Sequence, residues 1–327
     1  MTYPGKDVFE TSLRDCLAYT AAVCIIFSTF LLTETWAEET DVIEIAPPEV
    51  GVPAASLKAG KVEFADGSKY EGGLKLGKMH GVGIFTYANG DDYEGEFVDG
   101  KLHGNGVLTF ANGDRYEGSF VTGERSGKGI SVANNGNRYE GDFKSDRMHG
   151  RGVFSFANGD NYDGEFVQGE REGRGIFLFA NGNLYEGTFV AGQMQGRGIF
   201  TYNTGHVYEG EFVSGQMGGH GKLTFQNGDY YVGAFVAGKQ DGQGSLTFSA
   251  GHHYQGEFSK GQMHGQGTLT YANGDRFEGA FSGGLQNGVG IIHYAQGDRF
   301  EGIFVDGVRK GKGTTYYANG DRLEGEY

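Results

Sequence analysis

The sequence has few of the residues that cross-link or stiffen a small protein. Of its 327 residues only 2 are cysteine, 4 are proline and 1 is tryptophan. Both cysteines, Cys16 and Cys24, lie in one apolar segment, so the rest of the chain can form neither a disulfide framework nor a cysteine zinc site. The shortage of proline excludes a collagen-like or proline-rich disordered chain.

Basic residues are also scarce, and they do not cluster. The chain has 27 Lys and Arg against 42 Asp and Glu, which gives a formal net charge of -15. Nucleic-acid-binding proteins gain affinity from cationic contacts with phosphates, so we expect no nucleic-acid partner. The same charge disfavours adhesion to anionic lipid.

The N-terminal part has a composition of its own. An uncharged apolar run at 16–32 is followed by the small residues Thr35 and Ala37, which is typical of a signal peptide cleaved after Ala37. A retained membrane anchor is the alternative, because a run of this length is near the lower limit for a helical span. In both cases Lys6 and Arg14 precede the run, which predicts that the rest of the chain lies outside the cytoplasm.

The composition divides the chain into three parts. Residues 1–37 are predicted to be a signal peptide or membrane anchor that forms an apolar helix, and 38–59 an acidic, proline-containing linker. Residues 60–327 hold most of the 62 glycines, together with most of the 19 Tyr and 25 Phe. Glycine costs about 0.5–1 kcal/mol relative to alanine inside a helix or strand. A helical protein is therefore not expected. So many glycines are expected to recur at a fixed period.

The glycines belong to a repeat of 23 residues that begins at Tyr70 and has no insertion or deletion. Eleven full copies fill 70–322, and half a copy flanks them on each side. The second copy, Tyr93–Arg115, reads YEGEFVDGKLHGNGVLTFANGDR. With the tyrosine as repeat position 1, most glycines fall at repeat positions 3, 8, 12, 14 and 21.

Each copy has the pattern of two short β-strands. Repeat positions 22–23 and 1–6 alternate polar with aromatic residues, and positions 14–18 are β-branched and aromatic. A three-residue loop such as 111–113, with a left-handed glycine at its end, joins one copy to the next. This loop pairs Tyr116 with Leu108 and puts the apolar residues on one face, whereas a two-residue Asn-Gly turn would divide them between both faces.

The sequence therefore predicts an all-β fold, an elongated single-layer antiparallel meander of β-hairpins. Glycines at repeat positions 3, 12 and 14 leave space on the aromatic face for Tyr and Phe rings of neighbouring strands. A single layer cannot cover that face, so it must twist tightly, pair with another copy or bind a partner. The candidate interaction face consists of Tyr93, Phe97, Phe110, Tyr116, Phe120, Tyr139, Phe143, Tyr162, Phe166, Tyr185, Phe189, Tyr208 and Phe212. The alternative is that these rings pack on glycine within the sheet.

No catalytic, cofactor or metal site is expected. Histidines recur at repeat position 11, but adjacent copies lie two strands or ~9.6 Å apart, whereas zinc ligands sit within ~2.1 Å of one ion. They are interpreted as loop histidines. Acids at repeat positions 2 and 22 recur in nearly every copy, which contradicts a unique active site. The histidines at repeat position 11 are His80, His103, His149 and His264.

The repeat resembles the MORN repeat (membrane occupation and recognition nexus), whose pattern is Y-x-G-x-[FW] followed by a spaced G-x-G and an aromatic residue. The resemblance covers about 60–327. It implies a single-layer sheet of hairpins with roles in scaffolding, self-association and attachment near membranes, and phospholipid binding in some members. Enzymes of the family carry their catalysis on a separate domain. The N-terminal export segment departs from the mostly intracellular settings of the family.

The function predicted is that of a non-enzymatic exported scaffold for protein–protein interaction or self-association. A membrane-surface or phospholipid-binding module is the alternative, with the chain either secreted or tethered through 16–32 and the repeats outside. Binding of glycans ranks third, because the repeats contain no tryptophan to stack on sugars.

Overall fold

The computed structural model describes residues 57–327, and this part of the chain is a single sheet of 24 β-strands without a helix. The predicted signal peptide or anchor at 1–37 lies outside the described residues, as does the linker up to residue 56. Between the first strand of 6 residues and the last of 5, the strands alternate between short ones of 7 residues and long ones of 9 residues. The all-β prediction is confirmed.

The strand bounds follow the 23-residue period. They are β1 Lys58–Glu63, β2 Lys69–Lys75, β3 Lys78–Thr86, β4 Asp92–Val98, β5 Lys101–Thr109, β6 Arg115–Val121, β7 Glu124–Val132, β8 Arg138–Lys144, β9 Arg147–Ser155, β10 Asn161–Val167, β11 Glu170–Leu178, β12 Leu184–Val190, β13 Gln193–Thr201, β14 Val207–Val213, β15 Gln216–Thr224, β16 Tyr230–Val236, β17 Lys239–Thr247, β18 His253–Ser259, β19 Gln262–Thr270, β20 Arg276–Ser282, β21 Leu285–His293, β22 Arg299–Val305, β23 Val308–Tyr316 and β24 Arg322–Glu326.

Each strand pairs antiparallel with the strands before and after it in the chain. Within 57–327 no ladder joins β1 to β24, so the sheet is open. The topology is the predicted meander. Contacts therefore run between neighbouring strands, as in other repeat proteins.

The loop between copies has the predicted three-residue form. The backbone N–H of Phe110 donates to the carbonyl of Asp114 at 2.8 Å, and that of Gly113 donates to Phe110 at 2.9 Å. Gly113 has a φ of 92°, the left-handed conformation that closes a hairpin loop of this length. Tyr116 lies opposite Leu108, which is the register expected from the hydrophobic pattern.

The turn inside each copy was not predicted. The second strand begins at repeat position 9 instead of 14, because Val98 pairs with Lys101 across a two-residue turn. Asp99 has a φ of 50° and Gly100 a φ of 89°, which are the two positive values of a type I′ turn. The Asp-Gly pair was the available signal for this turn. Positions 9–13 belong to the second strand, which is therefore longer than the predicted strand at positions 14–18.

Position 12 of the repeat lies in a bulge. Gly95 pairs with Gly106, but Phe97 pairs with Leu102, so β5 holds two more residues than β4 between these pairs. Gly104 lies in the excess segment with a φ of 58°. The glycine at this position is therefore needed for its backbone conformation and not, as predicted, as space for a ring.

Glycines at repeat positions 3 and 14 do make space for rings. A Cβ atom on Gly106 would stand 2.5 Å from Cε2 and Cζ of Tyr93, and one on Gly95 would stand 2.6 Å from the Cα of Gly106. Neither distance is possible for a real side chain, so the ring can occupy its place only over a pair of glycines. For these two positions the prediction is confirmed.

Substitution of Gly100 should separate backbone strain from crowding, because a Cβ there meets nothing within 4 Å. We expect Gly100→Val to lower the free energy of unfolding by about 1–2 kcal/mol, the cost of a left-handed residue that is not glycine. Gly100→Asn should cost only a few tenths of a kcal/mol, because asparagine tolerates this conformation. Urea unfolding of both variants checks the difference, and equal losses would contradict the type I′ assignment.

Candidate functional site

One row of rings forms the interior of the sheet. The ring of Tyr93 meets Phe97 of its own copy and Phe120 of the next copy edge to face, with centroids 5.1 Å apart in both pairs. The same two contacts recur from copy to copy and connect Tyr70 to Tyr327 without a break. Edge-to-face pairs contribute about 0.5–1.5 kcal/mol each beyond the area they bury. This inner aromatic ladder, made by repeat positions 1 and 5, is the core.

The hydroxyl of each ladder tyrosine has a structural partner. Tyr185 donates from Oη to the carbonyl of Thr188 at 3.0 Å, beside the bulge where the strand pairing shifts. The carbonyl freed by the shift is thereby satisfied. Burial raises the pKa of the Tyr185 hydroxyl to about 12. Phe277 and Phe300 occupy the same repeat position without a hydroxyl.

The candidate interaction face named from the sequence coincides with this ladder, except for Phe110. All its other members have relative exposures of 5% or less, because the tyrosine rings lie over glycine pairs and the phenylalanine rings pack edge to face against the tyrosines. Any partner contacts the residues that surround them. The buried members are Tyr93, Phe97, Tyr116, Phe120, Tyr139, Phe143, Tyr162, Phe166, Tyr185, Phe189, Tyr208 and Phe212.

A second row of rings lies beside the ladder on the same face, at repeat positions 16 and 18. We term it the outer aromatic row. Phe154 contacts Phe156 at 4.4 Å, and Phe177 contacts Phe179 at 4.5 Å. Contacts of 5.8 Å and 5.7 Å between neighbouring copies make the row continuous up to Phe200. Most of these side chains are only half-buried. Apart from Phe110, no residue of this row was in the interaction face predicted from the sequence. The recurrence of large apolar residues at every second position along positions 14–18 was a usable signal.

Arginines at repeat position 10 stack between the two rows. The guanidinium carbon of Arg171 lies 4.9 Å from the ring centre of Phe177 and 5.4 Å from that of Phe189. Its Nη2 donates to the carbonyl of Gly192 at 2.6 Å. Burial lowers the pKa of Arg171, but an arginine stays charged in proteins. The aromatic face therefore carries fixed cations in an otherwise acidic chain.

The repeated acids at position 22 hold successive loops together. Oδ1 of Asp91 accepts a hydrogen bond from the backbone N–H of Ala111 at 2.8 Å, and Asp114 accepts one from Asn134 at 2.8 Å. The hydrogen bond from the Asn134 backbone lowers the pKa of Asp114. Where histidine takes this position, as in His206, its Nδ1 accepts instead.

The histidines at position 11 lie in strands, so their interpretation as loop residues is wrong. His80 belongs to β3, and its Nδ1 accepts a hydrogen bond at 3.5 Å from the backbone of Asp99 in the next turn. Gln195 has the same role towards Ser214 at 2.9 Å. Among residues 57–327 no group of three His, Cys, Asp or Glu side chains is placed to hold a metal ion.

Comparison with protein families identifies eleven consecutive MORN repeats that fill 70–322 in the phase described above. The chain belongs to the MORN-repeat family. Its copies thus combine a buried ladder, a half-exposed outer row and loops tied to one another. A search of curated proteins finds no match for the chain. In the part that the structure describes, no helix has the length and hydropathy to cross a membrane.

The solved structures that are similar to this MORN-repeat chain include two TCP domains. The TCP10 domain of CPAP from Danio rerio is 13% identical, with 68% of this chain and 99% of that chain covered and a TM-score of 0.37. The TCP domain of SAS-4 (dCPAP) from Drosophila melanogaster, in complex with a proline-rich motif of Ana2, is 16% identical. That match covers 59% of this chain and 100% of the other, with a TM-score of 0.31.

Removal of one ladder hydroxyl should destabilise the sheet locally. We expect Tyr185→Phe to lower the free energy of unfolding by about 1 kcal/mol, because the Thr188 carbonyl loses its donor. Tyr317→Phe is the matched control, since Tyr317 is 40% exposed, and it should change stability by less than about 0.5 kcal/mol. Chemical unfolding measures both variants. Equal effects of the two would contradict the assigned hydrogen bond.

Proposed function

We propose that this MORN-repeat protein is a non-enzymatic, exported scaffold that binds a protein partner, including a second copy of the chain, along the outer aromatic row. The observation that carries the proposal is the continuity of half-exposed rings across neighbouring copies. The buried ladder lies beside these rings and packs against them, with the ring centres of Tyr162 and Phe177 6.4 Å apart, so that little side-chain freedom is lost on binding. Aromatic residues and arginine are enriched in protein interfaces, and the row supplies both.

The proposal of a non-enzymatic role is supported by how the repeated polar groups are used. Asp91 and Asp114 accept backbone hydrogen bonds from the following loops. Glu96 at repeat position 4 accepts one at 2.9 Å from Asn105 beside the bulge. These carboxylates serve the fold in copy after copy and are not grouped around one reactive centre.

Membrane-surface binding is the second candidate, and one observation favours it. Valines at repeat position 6 form an exposed apolar series at the hairpin turns, with relative exposures from 39% at Val98 to 61% at Val236. Such a series could insert between lipid headgroups, although the acidic chain disfavours anionic lipid. Co-sedimentation with zwitterionic vesicles, compared between the protein and its Val213→Asp variant, distinguishes this function from partner binding.

Placement of a photo-crosslinker on the two faces tests the main proposal. With benzoylphenylalanine at Phe179 in the outer row, we expect the full-length protein in its cells to cross-link to one protein segment. With the same group at Ile199, a residue 42% exposed in β13, we expect no such product. Mass spectrometry identifies the attached peptide. Equal yields from the two positions, or attachment to lipid alone from Phe179, would contradict partner binding by the row.

Export has its own test. We expect the protein recovered from fractionated cells to begin at Glu38 if the apolar segment is a cleaved signal, or to retain the segment in the membrane fraction if it is an anchor. Mass spectrometry of the N-terminus separates these outcomes. An intact chain in the cytosolic fraction would contradict export.

A further inference from the structure

The third copy of the repeat, residues 116–138, interrupts the outer aromatic row. Its positions 16 and 18 are Ser131 and Ala133, whereas the next copy has Phe154 and Phe156 there. Two small side chains thus replace two large ones in the middle of the row. The remaining copies keep an aromatic residue at position 18.

A cavity of about 370 Å³ opens where these rings are missing, and we term it the notch. Its size is that of a small-ligand or side-chain pocket. The apolar part of its lining comes from the rings of Tyr139, Phe143 and Phe154. The charged part comes from Arg125, Asp146 and Arg147, which lie on the strands and turns of copies 3 and 4.

Arg125 is held in place at one side of the notch. Its guanidinium carbon lies 5.4 Å from the ring centre of Tyr116 and 5.5 Å from that of Phe143. Nε donates to Oδ1 of Asp146 at 3.2 Å, and Nη2 donates to the backbone carbonyl of Asp146 at 2.8 Å. The planar cation is therefore oriented by rings and by a carboxylate together.

Asp146 is a second departure from the repeat at the same place. The other full copies have glycine at position 8, and Asp146 adopts a φ of 64° there, a conformation that favours glycine. The carboxylate that this substitution supplies pairs with Arg125. Ser131, Ala133 and Asp146 are each exceptional for their repeat positions, and all three line one cavity.

Arg147 gives the notch an excess positive charge. Its Nη1 donates to Oε1 of Gln168 at 3.0 Å, and within residues 57–327 it forms no ion pair with a carboxylate. Arg125 is neutralised by Asp146, so Arg147 leaves the notch with one net positive charge in a chain of net charge -15. An occupant that complements this site is aromatic where the rings are missing and anionic beside Arg147.

We propose that the notch is the anchor site for a partner protein segment in which an aromatic side chain is followed by a carboxylate residue. The aromatic ring fills the place of the missing rings, stacks on the Arg125 guanidinium and contacts Phe154. The neighbouring carboxylate pairs with Arg147. Buried aromatic anchors of this kind carry much of the binding energy of an interface. The inference rests on the proposed scaffold function and assigns its point of specificity.

Short capped peptides test the site in the full-length protein. The probe is fluorescein-labelled Ser-Trp-Asp-Ser, compared with the same peptide carrying alanine for tryptophan or lysine for aspartate. We expect saturable binding of the first peptide, with a dissociation constant below about 1 mM, and binding of the other two to be weaker by about tenfold or more. Fluorescence anisotropy measures all three. No saturable binding of the first, or equal binding of all, would overturn the proposal.

Variants locate the binding. Ala133→Phe restores the ring of the other copies, so it should abolish binding without lowering the melting temperature. Arg147→Gln should weaken the binding of Ser-Trp-Asp-Ser by about tenfold and should not weaken that of the peptide with lysine for aspartate. Tyr202→Ala is the matched control, because Oη of Tyr202 lies 3.8 Å from Sδ of Met217 and the gap opened there therefore faces a methionine instead of an arginine; it should add no second binding site.

Binding retained by Ala133→Phe, or an added site of equal affinity in Tyr202→Ala, would overturn the assignment, as would displacement of the peptide by phosphatidylcholine vesicles. These results would leave the cross-linking at Phe179 unaffected. Failure of the notch and failure of the scaffold function are therefore distinguishable.

Discussion

The fold depends on the placement of a tyrosine ring over two glycines of adjacent strands. The ring of Tyr93 occupies the volume in which Gly95 and Gly106 would carry side chains. This arrangement lets a one-layer sheet bury its largest side chains, with Tyr93 at 0% exposure. The usual solution is a second layer, because the apolar face of a sheet must be covered. Here the aromatic side chains of the sheet cover its own backbone, and they link each copy to the next.

The repeated polar residues complement this packing. Position 22 connects successive loops, position 11 connects successive turns, and position 4 satisfies the bulge. Each group bonds to a neighbouring strand or to the next copy, so structure propagates along the sheet by nearest-neighbour contacts. A surface composed in this way is the same in every copy. Binding at one defined position then requires departures from the repeat, and copy 3 has several of them around one cavity.

Much of this architecture could be predicted from the sequence because the period was unbroken. The loop containing Gly113 followed from the requirement that apolar residues share one face. The bulge at Gly104 did not follow, since a glycine needed for a left-handed backbone looks the same in sequence as one needed for space. The candidate interaction face was even harder to predict from the sequence. Tyr93 and Phe110 are both aromatic, and only the geometry shows that the former is buried and the latter half-exposed.

The most direct test of the account is a double-mutant cycle on Tyr93 and Gly106. Gly106→Ala in the wild-type background should cost about 1–3 kcal/mol of unfolding free energy, because the added methyl group meets the ring. In the Tyr93→Ala background the ring is absent, and the same substitution should cost nothing or stabilise the strand, since alanine is a better strand residue than glycine. A coupling of this size would establish that the glycine serves the ring. An unchanged cost in both backgrounds would contradict the account.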